Sequence, residues 1–395
     1  MWFWLNLPVS LRSQPKYQLP RDRRPTGAGR FGWLLLLALL IAGLWYVWPR
    51  ASPPAVLPPP AKPELVVKTP VNPVRPASPV SPAPMVVSRP VGPAGPTNPA
   101  VPAETVPGSY PRPVVNPFEA QVALARLAIS PGSIDGAMGS QTRLALRQFQ
   151  TKNHLPPTGA LDAQTRPLLT LEAPPLTVYT VTTNDLARLQ PLGKTWLEKS
   201  RQTALDFETE VELVGEFSHA NPALIRQLNP GVDWANLTAG TDLQVPDVQY
   251  PEPPDKAAFV IIHLSGRYLE AFDGDTNLLA HFPCSIAAHV EKRPVGLLHV
   301  TALAPHPDYT FDPALFPESP EARQLGRKLK LPPGPKNPVG VAWTSLDRPG
   351  YGIHGTPAPE QVGRTESHGC FRLANWDAAY FLKLAWIGLP VEVEP

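Results

Sequence analysis

The chain holds only two cysteines, and one of them, Cys370, stands where a core strand would not put it. Ser367, His368 and Gly369 precede it and Arg372 follows, so polar side chains and a glycine crowd the thiol. A residue without Cβ lets the backbone turn tightly and lets a substrate carbonyl come close to the sulfur. The nucleophilic form of such a group is the thiolate. His354, His368 and Arg372, all within the 22 residues from His354 to Asn375, are local groups that could lower the thiol's pKa or carry its proton. Nucleophilic acyl transfer is the chemistry these residue types suit. Inert burial is the commoner fate of a free cysteine, and Cys284 fits that pattern. It falls in the apolar run 278–286, read as a buried strand, and is not expected to bridge to Cys370.

The order His354-Gly355, a spacer, Ser367-His368-Gly369-Cys370, then Phe371, Arg372 and Asn375 resembles the signature of the L,D-transpeptidase (YkuD-like) family. The resemblance covers roughly the last 140 residues. Leu331 to Gly340 is similar to the family's loop before the strand that leads to the site, whereas Arg293 stands where the family usually has a threonine before Pro-x-Gly. The resemblance implies that Cys370 attacks the carbonyl of the third residue of a peptidoglycan tetrapeptide stem and expels D-alanine. The amine of another stem then takes the acyl group to give a 3→3 cross-link. It also implies His354 as general base and proton donor, the Gly355 carbonyl as the group orienting its ring, and His368 and Gly369 in an oxyanion loop. Ser367, Arg372, Asn375 and Tyr351 are the expected substrate contacts. Water as acceptor would make the protein an L,D-carboxypeptidase or amidase on the same fold, and a lipoprotein amine is a third acceptor left open. A membrane-to-wall tether with a dead catalytic domain is the non-enzymatic alternative. No cofactor is implied. His281, His289, His299 and His306 crowd one segment without a metal-ligand spacing, so no metal is expected.

Composition sets where such a site would work. The 395 residues include 55 prolines, far above the usual share, so much of the chain must be extended linker. The net charge of +2 argues nothing about nucleic acid, and with no basic stripe and interleaved aromatics none is expected as a partner. Residues 31–48 run without a charge for about the length that crosses a bilayer. Arg12, Lys16, Arg21, Arg23, Arg24 and Arg30 precede them against a single Asp22, which places residues 1–30 in the cytoplasm and the rest outside an inner membrane. Residues 49–117, about one-third proline, read as a polyproline-type spacer.

Three folded parts are expected beyond it. Over 118–172, Phe118, Val122, Ala125 and Ile129 fall at helical spacing, and a second helix starts near Ser140. The echo GAMGSQT and GALDAQT places Ser140 and Asp162 as N-caps. With Ile134-Asp135-Gly136 and Leu144 to Gln150, this segment resembles the peptidoglycan-binding domain 1 family, a small all-α module. Over 176–249, a strand at Val178, a helix at Asn221 to Pro230 and a strand at Leu243 follow the order of an α+β LysM-like domain. Over 256–395 the strands Phe259 to Leu264, Arg267 to Phe272, Leu278 to Ala288, Val295 to Ala304, Val339 to Thr344 and Val391 to Glu394 predict a mainly β catalytic domain. The family's sandwich or barrel is its expected form. One helix, Trp376 to Trp386, capped by Asn375 and packed through Ala379, Leu382 and Trp386, would brace the cysteine loop.

Overall fold

The structure, a computed structural model, describes residues 109–316, 319–365, 367 and 369–395. The expected cytoplasmic tail, the stretch 31–48 and most of the proline-rich spacer lie outside the described residues, as does His368. Among the described residues no helix is long and apolar enough to cross a membrane.

The first module contains β1 (Arg112–Pro113), α1 (Pro117–Ala125), α2 (Ser140–Lys152) and β2 (Thr170–Leu171). Asn116 starts α1: its side-chain oxygen accepts the Glu119 N–H at 2.9 Å, and Pro117 opens the first turn at no hydrogen-bond cost. The N-cap of α2 is Gly139, without a side-chain bond, so Ser140 is the first helical residue and not the cap expected of it. Asp162 does cap, accepting the Thr165 N–H at 2.9 Å, but it starts a turn and not a helix. The module is not purely helical. β1 pairs antiparallel with β2, and Val114 beside it is 1% exposed, so order begins several residues before Phe118. A two-residue pairing between segments nearly sixty residues apart leaves no periodic trace.

The middle module runs β3 (Leu176–Thr180), α3 (Thr183–Arg188), α4 (Trp196–Lys199), α5 (Glu210–Phe217), α6 (Pro222–Leu228) and β4 (Asp242–Pro246). β3 and β4 pair antiparallel from Leu176↔Pro246 to Thr180↔Asp242, so the chain enters and leaves side by side. The three elements read from sequence are present, with α3, α4 and α5 between them. Thr182 and Asp185 cap α3 reciprocally, which starts that short helix directly after β3. Phe207, Val211, Ile225 and Leu243 share one buried cluster with Phe118, Leu124 and Leu146. The first two modules therefore have one core.

The remaining strands are β5 (Phe259–His263), β6 (Tyr268–Phe272), β7 (Leu278–Pro283), β8 (Gly296–Pro305), β9 (Tyr309–Phe311), β10 (Leu329–Leu331), β11 (Ala342–Leu346), β12 (Gly352–His354), β13 (Phe371–Arg372) and β14 (Pro390–Glu394). Eight of them form one sheet in the order β13-β12-β11-β8-β14-β5-β6-β7, and β9 and β10 pair apart from it. The sheet curls until its edges meet. Just past β7, Ser285 exchanges hydrogen bonds with Arg372 of β13 (2.9 and 3.0 Å), and the Ala288 N–H reaches the Ser367 carbonyl at 2.9 Å. The seam of this half-barrel is thus the cysteine loop itself.

Between β9 and β10 lies α7 (Pro320–Leu325), and after β13 lies α8 (Asn375–Leu384). Helix α8 buries Ala378, Phe381 and Leu384 in the core of the sheet, while Ala379 is exposed and Trp386 is 41% exposed and beyond the helix end. Of the expected packing face only Leu382, partly buried against that core, holds, and Ala379 and Trp386 are corrected. Trp376 on another side stacks on His219 at 5.0 Å, so the helix is covered from two directions and its apolar pattern does not select one face.

The modules join at Asp377. Its carboxylate, fully buried, accepts Tyr250 Oη–H at 2.6 Å and Ser130 Oγ–H at 3.1 Å, tying α8 to the first module and to the strand-exit segment. Burial, only partly offset by these two bonds, raises its pKa to about 7. The folded state then binds a proton that the unfolded chain releases above its ordinary carboxylate pKa, so this group's contribution falls as pH rises from about 4 to 7. Asp377→Asn, which keeps the acceptor for Tyr250, should raise the melting temperature at pH 8 and leave it nearly unchanged at pH 4. Thermal denaturation at the two pH values checks this, and an equal shift at both would remove the ionisation account.

Candidate active site

β12 and β13 lie side by side and parallel, with Ile353↔Phe371 and His354↔Arg372 in register. The residues before them, Gly352 and Cys370, are therefore also neighbours, and His354 and Arg372 follow on the same face. The pairing between distant segments brings the thiol and the imidazole to one sheet edge.

His354 is 4% exposed and held on two sides. Its Nδ1–H donates to the Gly355 carbonyl at 2.6 Å, and its ring stacks on Trp343 at 5.3 Å. The Nδ1 bond fixes the tautomer that leaves Nε2 as a proton acceptor. Burial drives the ring's pKa down to about 4, with the Arg372 charge adding to the fall and the Gly355 bond opposing it. The Cys370 thiol is pushed the other way. Burial raises its pKa, more than the Gly352 N–H and the Arg372 charge lower it, and Sγ–H donates weakly to the Gly350 carbonyl at 3.5 Å. The resting pair is a neutral thiol and a neutral imidazole. The geometry therefore suits general-base removal of the thiol proton during attack, not a standing thiolate.

The expected substrate contacts divide. Ser367 is 4% exposed, and its hydroxyl donates to the Cys370 carbonyl at 2.5 Å and accepts the Gly369 N–H at 3.2 Å. That hydroxyl shapes the loop. The Gly369 N–H, expected in the oxyanion loop, is engaged by the same long bond in the resting state. Asn375 is 1% exposed and, contrary to expectation, does not cap α8, whose N-cap is Ala374. Its Oδ1 accepts the N–H groups of Thr356 (3.0 Å) and Val341 (3.3 Å), and its Nδ2 donates to the Pro335 carbonyl at 3.2 Å. A Cβ on Gly340 would sit 2.0 Å from that oxygen and one on Gly355 2.2 Å, so both glycines are required by the close approach. Tyr351 remains at the site mouth, its ring 3.8 Å from where a Gly369 Cβ would stand and under the Arg348 guanidinium at 4.7 Å. Arg372 is half-buried with its charge felt by Cys370.

Sequence reasoning missed Tyr309 and Trp343. Tyr309 is near enough to Cys370 and Arg372 for their charges to act on it. Trp343 was covered only by its place in an expected strand, and Tyr309 belongs to a proline-rich segment without periodicity.

A cysteine and a histidine thus lie together at the seam of a curled β-sheet. Comparison with known proteins gives the class of domain that carries them. Residues 257–393 match the YkuD family model, "L,D-transpeptidase catalytic domain", and residues 116–169 match the model "Putative peptidoglycan binding domain". The chain thus carries an L,D-transpeptidase catalytic domain and a peptidoglycan-binding domain. It is 25% identical over 189 residues to "Putative L,D-transpeptidase YkuD" of Bacillus licheniformis, covering 48% of this chain and 94% of that protein. It is 28% identical over 172 residues to "Probable L,D-transpeptidase ErfK/SrfK" of Salmonella typhimurium, covering 42% of this chain and 53% of that one. The chain thus spans about half the length of this second relative. A crystal structure of L,D-transpeptidase 3 from Mycobacterium tuberculosis aligns with 40% of this chain and 77% of its own, at 18% identity and a TM-score of 0.28.

Two expectations follow from the geometry. Asn375→Ala leaves the Thr356 and Val341 N–H groups unpaired in the core and should cost about 2–4 kcal/mol of stability in thermal or urea unfolding. An unchanged melting temperature with a raised KM would instead make Asn375 a substrate contact. Alkylation of Cys370 by iodoacetamide should keep rising as pH passes from 7 through 9, because the thiol pKa is raised. A plateau at neutral pH would mean a standing thiolate–imidazolium pair.

Proposed function

We propose that the protein is a membrane-anchored L,D-transpeptidase that forms 3→3 cross-links between peptidoglycan stems. The observation that carries the reading is the His354 ring, fixed through Nδ1 on the Gly355 carbonyl and borne on the strand beside Cys370. In this reading Cys370 Sγ attacks the carbonyl of the third stem residue as His354 Nε2 takes the thiol proton. The tetrahedral intermediate collapses to a thioester as the same imidazole returns the proton to the departing D-alanine amine. The side-chain amine of a second stem then attacks the thioester, losing its proton through His354 and releasing the thiol. Arg372 supplies a positive field beside the developing charge, and Tyr351 lines the mouth of the site.

The family match at 116–169 supports peptidoglycan as the partner of the first module. The pairing of β3 with β4 around the intervening helices supports a LysM-like reading of 176–249. The charge asymmetry around residues 31–48 supports an inner-membrane anchor with the folded part on the outer face.

Incubating the protein with disaccharide-tetrapeptide should yield 3→3 dimers and free D-alanine, detected by mass spectrometry. Accumulation of tripeptide without dimers would favour the carboxypeptidase. Cys370→Ala should abolish both the product and the covalent adduct formed with a carbapenem. His354→Ala should lower turnover by about 10²–10⁴. Retention of activity by either variant would overturn the proposed roles.

A further inference from the structure

The β9–β10 hairpin leaves the main sheet between β8 and β11, and it is paired over only three residues, Leu329↔Phe311 to Leu331↔Tyr309. A two-stranded ribbon of that length does not hold its own position. Its support comes from the middle module. Trp196, at the first turn of α4, stacks on Phe311 with centroids 4.3 Å apart and planes 14° apart, and it lies 6.5 Å from Tyr309 and 6.2 Å from Phe316. Thr195 and Glu198 cap that single turn reciprocally, which fixes the indole's point of departure. Leu205, wholly buried, joins Phe311, Leu329 and Leu331 in a small core separate from those of the sheet and of the modules. The contact is also bonded. The Leu205 N–H donates to the Pro333 carbonyl and the Leu205 carbonyl accepts the Lys336 N–H, both at 2.9 Å, and the Leu197 N–H donates to the Glu321 carboxylate at 3.1 Å.

What the hairpin holds is one wall of a groove. A cavity of about 560 Å³ is bounded by Tyr309 and Asp308 on the hairpin and by Trp343, Val339 and Ala304 opposite. Trp343 is the ring that stacks on His354. Chain connectivity thus runs from a module outside the catalytic domain, through Phe311 and Tyr309, to the groove beside the imidazole.

We propose that Trp196 is a positioning residue for the acyl-transfer reaction. Through Phe311 it sets the β9–β10 hairpin, and hence Tyr309, at the spacing from Trp343 that the peptide stem of the substrate requires. The proposal rests on the transpeptidase reading above and extends the working site to the middle module.

The test uses the full chain with disaccharide-tetrapeptide as substrate. Losing the aromatic that supports a wall which binds substrate equally before and during reaction should raise KM about tenfold and leave kcat within about twofold in Trp196→Ala. Trp196→Phe should restore most of the loss. Trypsin should cut faster at the exposed Arg323, Arg327, Lys328 and Lys330 in the alanine variant. A variant whose kcat falls while KM stays at the wild-type value has only lost folded enzyme, and that result, or no change at all, overturns the proposal. If Trp196→Ala does not fold, Glu321→Ala must raise KM in the same direction, and an unchanged KM overturns it. Should the wild-type protein turn over no tetrapeptide, the functional reading fails, and the trypsin comparison still decides whether Trp196 holds the hairpin.

Discussion

One buried amide carries the geometry of the catalytic face. Asn375 takes two backbone N–H groups and gives one hydrogen to a carbonyl, joining the chain at Pro335, Val341 and Thr356 behind the site. Each of these groups would be costly to bury unpaired, on the order of 1–3 kcal/mol, so the three segments have little freedom to separate. Gly355 lies between His354 and Thr356, and its carbonyl is the one that receives the imidazole Nδ1–H. The amide of Asn375 therefore bears on the imidazole at second hand, by fixing the acceptor that fixes the ring.

Electrostatics at the site follow from burial more than from pairing. Arg372 lies close enough to favour the Cys370 thiolate and to disfavour a charged His354, yet desolvation is the largest influence on both. It leaves both groups neutral at rest. A neutral thiol is a poor nucleophile until a base takes its proton, and a neutral imidazole is able to do so. The seam of the sheet assists, since Ser285 and Ala288 hold both ends of the cysteine loop through backbone bonds.

The described parts of the chain are packed together more tightly than separate modules on linkers would be. The first two modules share one core, the first reaches the loop before the cysteine through a hydrogen bond from Gln141 to the Val362 carbonyl, and Asp377 closes the junction with α8. Lys336, in the loop preceding β11, bonds Glu212 of the middle module at 2.7 Å. Displacement of either module would therefore be felt near the site.

The sequence by itself singled out Cys370 and His354 and most of the strands around them. A thiol after Ser-His-Gly, with a distant His-Gly, is a local chemical pattern, and alternating or continuous apolar runs mark strands because the pleat has period two. Tertiary structure alone decided what had no local trace: that Asn375 and Ser367 turn inward to brace loops, that α8 is covered on two sides, and that Trp196 packs on Phe311. Such roles depend on which segment arrives opposite a side chain. The arrival is set by the closure of the sheet and the sharing of cores across long stretches of chain, and neither leaves a repeat in the sequence.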